Sequence, residues 1–217
     1  MLRRNIVGLV ICIATLGIAT LGFAGVPELD NCSATTAAGE QVNVFVIPDG
    51  QGFLMTEARA ATTLPQDVVD ATITVTLLDA GMNPVFAYPF EDMWLETSLS
   101  GLAACPNGTI ADASTDINGQ STFTGPFYAG GHSDMVGGEM TQVVISGAAL
   151  PALNNLDILF NSADMDGNGL VDLTDVSLFS TAYLGASYDF AADFFFDSAL
   201  NLSDLVLFSG AVNIGCP

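Results

Sequence analysis

Lysine does not occur anywhere in this chain of 217 residues, and arginine occurs only at Arg3, Arg4 and Arg59. Against these stand 24 Asp and Glu, for a formal net charge of −21. A surface so poor in cations has nothing with which to neutralise phosphates, which excludes nucleic acid as a partner. An anionic membrane surface is disfavoured for the same reason. Lysine-based catalysis is impossible. One histidine, His132, is present, and it follows Gly130-Gly131 in a turn-like stretch. No serine sits in a G-x-S-x-G elbow. The acidic group Glu91, Asp92 and Glu96 surrounds the single tryptophan, Trp94. Paired carboxylates can hydrolyse glycosides, but so small a β domain seldom builds the necessary cleft. The expectation is a protein that is not an enzyme. Trp94 is read first as a core residue, and with Tyr88 it is the alternative candidate for a polysaccharide-binding face.

The basic residues that do exist are concentrated at the start. Arg3 and Arg4 precede an apolar run over residues 6–24, and Gly22 and Ala24 are small residues of the kind a signal peptidase reads. Residues 1–24 are therefore expected to be a signal peptide, with no membrane span left after cleavage. An uncleaved anchor is the alternative, because the run is almost long enough to cross a bilayer. Cys12 follows Ile11 rather than a small residue, which argues against lipidation, and Arg3-Arg4 lacks the context of a twin-arginine signal. All 24 acids lie beyond this segment, so the exported chain carries about −23 (24 acids less Arg59). Such a charge suits a secreted or cell-surface protein in a salty or calcium-rich medium, where screening is strong.

Cysteine is scarce too. The exported chain keeps Cys32, Cys105 and Cys216, and export makes a disulfide the default. Cys32–Cys105 is the preferred pair, leaving Cys216 near the C-terminus; pairing of Cys216 with Cys32, or with another chain, stays open. The tripeptides at Asn31, Asn107 and Asn201 fit the N-glycosylation pattern.

Half of the residues are nevertheless hydrophobic, enough for a real core. Over residues 27–150 short β-type stretches alternate with turns. In residues 69–78 (VDATITVTLL), Ile73, Val75 and Leu77 face one way and Thr72, Thr74 and Thr76 the other, the period of a half-buried strand. Residues 42–47, 84–88, 93–96, 109–113, 121–124 and 142–146 are further candidates. Turn signals such as Asp49-Gly50, Asn107-Gly108 and Asn118-Gly119 separate them. About seven strands at this spacing predict an antiparallel sandwich over residues 25–150.

The most specific pattern is DMDGNGLVDLTD, residues 164–175. Asp164, Asp166, Asn168, Asp172 and Asp175 occupy positions 1, 3, 5, 9 and 12 of a calcium loop, and Gly169 position 6, where the chain doubles back. Leu170, at position 7, would offer its backbone carbonyl. Val171, at position 8, would face inward and pair with its equivalent in a second loop. That loop follows after 29 residues (204 − 175): Asp193, Asp197, Ala199, Asn201 and Asp204 stand at positions 1, 5, 7, 9 and 12, and Leu200 at position 8. It is damaged, with Phe195 at position 3 and Ser198 at position 6. LTDVSLFS and LSDLVLFS continue the two copies alike, which marks a duplication. Two Ca²⁺ ions are expected, the second more weakly held.

Two loops, each followed by one helix with none before it, resemble a type I dockerin module over about residues 161–217. The resemblance implies that Leu173, Thr174, Leu202 and Ser203, the pairs before each last ligand, contact a cohesin-like partner. The phrases ITVTLLDAGMNPV (73–85) and ADASTDINGQSTFTG (111–125) resemble bacterial immunoglobulin-like domains of the invasin type, which implies a sandwich and says little about function. Between the parts, residues 149–163 are apolar rather than a Pro/Thr/Ser linker, so the module, assigned residues 151–217, is expected to pack on the sandwich. Phe190, Phe194, Phe195 and Phe196 are either the small module's core or a docking face. The expected fold is thus mainly β: an antiparallel immunoglobulin-like sandwich plus a small two-helix, two-loop calcium-binding module. The expected function is a secreted, calcium-binding structural or adhesive protein, self-assembling into a layer or filament, or alternatively docking a cohesin-like partner.

Overall fold

The computed structural model describes residues 25–60, 68–185 and 187–217; the expected signal peptide lies outside them. The described residues are mainly β. In chain order the strands are β1 (Ser33–Thr36), β2 (Val42–Val46), β3 (Ala58–Ala60), β4 (Val68–Val69), β5 (Ile73–Thr76), β6 (Met93–Thr97), β7 (Leu102–Ala104), β8 (Gln120–Phe123), β9 (Ala129–Gly131), β10 (Thr141–Ile145), β11 (Ala148–Ala149) and β12 (Ile158–Ser162), followed by helices α1 (Leu173–Tyr183) and α2 (Leu202–Ala211). Four small sheets form, ordered β1-β5-β8, β11-β10-β6, β12-β2-β3-β4 and β7-β9. All pairings are antiparallel except β12 with β2. All four sheets contribute to one apolar core, for example through Val44, Ile73, Leu95, Phe123, Ala129 and Phe160.

The alternation expected from residue 69 onward is seen in β5, where Ile73 and Val75 are buried and Thr74 and Thr76 half-buried. The candidates near residues 42–47, 93–96, 121–124 and 142–146 are strands. Residues 84–88 and 109–113 are not: each contributes a lone bridge, Leu78 with Pro84 and Trp94 with Ile110. The candidates do not include β1, β3, β7, β9, β11 or β12 and touch β4 only at Val69, because these stretches are short or show little period. Gly130-Gly131, read as a turn, lies in β9, fully buried.

Strand β2 explains how the helical part is held. Every residue in it is buried. Val42, Val44 and Val46 enter the main core. Phe45, with Ile47 just beyond the strand, enters a second apolar cluster made otherwise of Ala163, Met165, Val171, Phe179, Phe194 and Phe208, among others. Alternation therefore sends Val42, Val44 and Val46 into one core and Phe45 and Ile47 into the other, and the run VNVFVI is apolar except for Asn43 because neither face meets water. The segment after residue 150 does pack, as β12, which runs parallel to β2 with Ile158 opposite Val42 and Ser162 opposite Val46. Two buried asparagines bridge sheet and module: Asn43 Nδ2 donates to Asn161 Oδ1 at 2.9 Å, and Asn161 Nδ2 donates to the Asp193 carbonyl at 2.7 Å.

The disulfide is not the expected one. Cys105 bonds to Cys216, across 111 residues of sequence, and Cys32 is a buried free thiol. Cys32 sits in the main apolar core, where its Sγ donates to the Glu28 carbonyl. Cys105 follows β7 at the side where the C-terminal tail arrives. Tertiary placement, which spacing does not encode, decided the pairing. Among the described residues no helix is long and apolar enough to cross a membrane.

Candidate metal centre

Each of the two loops wraps around a buried carboxylate pair. In the first, Asp164 and Asp175 have no exposed surface. Asp164 accepts from the Asn168 and Gly169 N–H groups at 3.1 and 2.8 Å. Asp175 accepts from Met165, Asp166 and Asp172 N–H at 2.7, 3.2 and 2.8 Å. The last of these is half of a capping box: Asp175 bonds back to the Asp172 N–H while the Asp172 carboxylate accepts from Thr174 N–H at the start of α1. The LTD sequence thus starts a helix and places a carboxylate with the same residues.

In the second loop Asp193 accepts from Asp197 and Ser198 N–H at 3.0 and 2.9 Å, and Asp204 from Phe195 and Asn201 N–H, both at 2.9 Å. Asn201 and Asp204 repeat the capping box at α2. These donors stand at the positions of four of the first loop's five, so the duplication extends to hydrogen bonding. The repeat-related Phe179 and Phe208 stack with ring centres 4.5 Å apart and planes at 6°, and Phe194 stacks on Phe179. The aromatic cluster is therefore largely core: Phe190, Phe194 and Phe196 are buried.

Ligand-type oxygens of Asp164, Asp166 and Asp175 lie within 4.8 Å of one another, as do those of Asp193, Asp197 and Asp204. Calcium–oxygen bonds are about 2.3–2.6 Å, so two ligands of one ion lie at most about 5 Å apart. The all-oxygen donor set and its spacing fit a hard divalent cation. Asn168 Nδ2 bonds to Asp166 and its Oδ1 accepts from Leu170 N–H, while Asp172 caps the helix, at a position that often reaches the ion through water. Burial pushes the carboxyls of Asp164, Asp193 and Asp204 up from the usual carboxylate range, Asp193 to about 6, against the opposing pull of their hydrogen bonds.

The second loop differs from the first in what meets its oxygens. Tyr188 Oη donates to Asp193 at 2.8 Å. Asn201 Nδ2 donates to Asp197 at 2.8 Å and to the Ala199 carbonyl at 3.2 Å, tying together two expected ligands. Phe195, at the position of a missing ligand, lies under the Arg59 guanidinium of β3, 4.4 Å from its ring centre. Ser198 takes the turn with φ of 62°, a conformation that Gly169 adopts at little cost.

Val171 is buried in the same cluster that Leu200 packs against, but its backbone pairs elsewhere: Val171 N–H donates to Ile214 O, and Asn213 N–H to Val171 O. The sequence also gave no sign of Gly130, whose missing Cβ makes room for the Asp164 carboxylate, or of Gly131, whose N–H donates to the Asp164 carbonyl at 2.6 Å. Ser162 Oγ accepts from Asp164 N–H at 3.2 Å.

Of the residues implied to meet a partner, Leu173, Thr174 and Leu202 are exposed and Ser203 is half-buried. Tyr88 and Trp94 line separate hollows, the first with Pro27 and Ile145, the second with Glu91 and Asn107. His132 is an exposed residue whose Nδ1 lies 3.2 Å from the Met165 carbonyl.

No protein-family model matches this chain, and no curated protein is significantly similar to it. Among solved structures, the Lin-41 filamin domain is similar at 13% identity over 61% of this chain and 95% of that one, with a TM-score of 0.29, a likeness too slight to carry an argument.

Proposed function

We propose that this chain is a secreted or cell-surface, non-enzymatic structural protein whose C-terminal module, dockerin-like in its duplicated loops, is held folded by calcium against an immunoglobulin-like sandwich. One observation carries the reading. Asp164, Asp175, Asp193 and Asp204 are each without exposed surface, and the hydrogen bonds they accept come from backbone N–H groups and the Tyr188 hydroxyl rather than from a cationic side chain. Buried charges are ordinarily paired or bound to a metal. Calcium supplies the missing positive charge, tightly in the first loop and more weakly in the second. Calorimetric titration of the metal-free protein tests it: a tight event that Asp164→Ala removes and Asp193→Ala leaves is expected. No heat of binding, or equal effects of the two substitutions, defeats the assignment.

A second reading, docking to a cohesin-like partner, is favoured by a specific observation. The repeat-equivalent Leu173 and Leu202 are 83% and 69% exposed, where a purely structural module would be expected to cover them. Surface plasmon resonance against a type I cohesin domain, with the Leu173→Glu, Leu202→Glu double variant as control, separates the two. Electron microscopy with and without calcium tests self-assembly.

A further inference from the structure

The C-terminal tail is sewn onto the first loop. Cys216 N–H donates to Gly169 O at 2.8 Å, Val171 N–H to Ile214 O at 2.8 Å, and Asn213 N–H to Val171 O at 2.9 Å. This register sets Gly215 opposite Leu170. The tail therefore straps loop positions 6 to 8, and none of the three bonds uses the Leu170 carbonyl, the position-7 ligand. The end of the strap is tethered to the sandwich through Cys105. Cys105 is itself buried beside β7, with its N–H bonded to the Tyr128 carbonyl. The contact is close: a Cβ at Gly169 would stand 3.1 Å from Cys216 Sγ. The second loop offers an internal comparison. Its position-7 carbonyl, Ala199 O, accepts from Asn201 within the loop instead.

Resting on the calcium reading above, we propose that the Cys105–Cys216 disulfide and its strap couple the redox state of the protein to the calcium affinity of the first loop. A chain end is poorly ordered unless it is tied down. With the disulfide closed, the tail holds Gly169 to Val171 in the conformation that presents the Leu170 carbonyl, and the ordering cost has been met before the ion arrives. With the disulfide open, that cost falls on the binding step. A dithiol such as dithiothreitol opens it by passing two electrons and two protons to the S–S bond. The products are the Cys105 and Cys216 thiols and the cyclic disulfide of the reagent. Linkage is reciprocal, so calcium in the loop protects the disulfide by the same factor by which the disulfide raises affinity.

The test uses the full chain and two readouts. Calcium is titrated into the oxidised protein, the dithiothreitol-treated protein and Cys216→Ser. The disulfide–dithiol equilibrium is then poised in mixtures of oxidised and reduced dithiothreitol and read by thiol alkylation and mass spectrometry, with calcium and with chelator. The reduced and Cys216→Ser proteins are expected to bind about ten-fold more weakly at the first loop, inside the usual 5–150-fold range of coupling, and calcium is expected to shift the equilibrium toward the disulfide by the same factor. Equal affinity in all three proteins overturns the coupling while leaving the calcium site standing. Absence of binding to the oxidised protein overturns the calcium site, and the coupling with it. Should Cys216→Ser fail to fold, the wild-type equilibria decide alone, and equal disulfide–dithiol equilibria with calcium and chelator overturn the proposal.

Discussion

Withdrawing calcium should lower the unfolding temperature by about 5–10 °C relative to protein held in calcium at one hundred times its dissociation constant. A ligand that binds only the folded state adds about 2.7 kcal/mol at that concentration. For a domain of 150–250 residues each kcal/mol moves the midpoint by about 2–4 °C. The requirement that only the folded state binds is met by the geometry. Asp164 and Asp175 are eleven positions apart and converge only because the loop turns at Gly169 and α1 begins at Leu173. Unfolding disperses them. Differential scanning calorimetry in chelator and in calcium, at matched ionic strength, measures the difference. A chain with net charge −21 also gains from general screening, so a sodium chloride control is needed. An unfolding curve that chelator leaves unchanged, or a shift that sodium chloride reproduces in full, would refute the reasoning.

Four further outcomes are expected. Gly130→Ala drives a methyl group into the Asp164 carboxylate and should weaken calcium binding while costing about 1–3 kcal/mol of stability, measured by titration and urea unfolding; unchanged binding would show that the loop does not lean on β9. Phe208→Ala removes the ring stacked on Phe179 and should cost about 3–5 kcal/mol in chemical unfolding, a loss below 1 kcal/mol contradicting the shared core. Without calcium, Asp193 has its carboxyl pushed to about 6, chiefly by burial, against about 4 in the unfolded chain. The folded state then binds the extra proton, so its contribution is present below pH 4 and is lost as pH rises from about 4 to 6; in pH-dependent thermal melts Asp193→Asn should flatten that interval, and an unaltered profile would contradict it. Leu173→Glu should change stability by less than about 0.5 kcal/mol, as for an exposed position; a large loss in thermal melts would mean that the face is covered.

Much of the candidate site was legible in advance because its determinants are local. A calcium loop is twelve consecutive residues, and the capping boxes at Asp172 and Asn201 are written in the four residues from 172 to 175 and from 201 to 204. The 29-residue period carried the second loop with it. Strands with a clean alternation, such as β5, were legible for the same reason. What escaped is non-local. Strand β12 reads only as an apolar stretch that packs, not as a strand, until β2 is seen beside it, and Gly130 reads as a turn until Asp164 arrives thirty-four positions later. The Cys32–Cys105 expectation failed on the same ground, since three cysteines leave three possible pairs and only the path of the chain selects one.

The sequence by itself determined the chemistry: an oxygen-rich duplicated loop, a chain nearly without cations, and an apolar content sufficient for a core. Those properties depend on residue identity and short-range spacing. The tertiary structure decided how the parts are joined. It buries both faces of β2, packs the two helices and their loops against that strand, stacks Phe179 on Phe208, and brings Cys216 to Cys105. It also separates the two loops in character, because the tail reaches only the first while Tyr188 and Asn201 turn inward on the second. Contacts between residues far apart in sequence are set by packing, and packing is a property of the whole chain rather than of any segment in it.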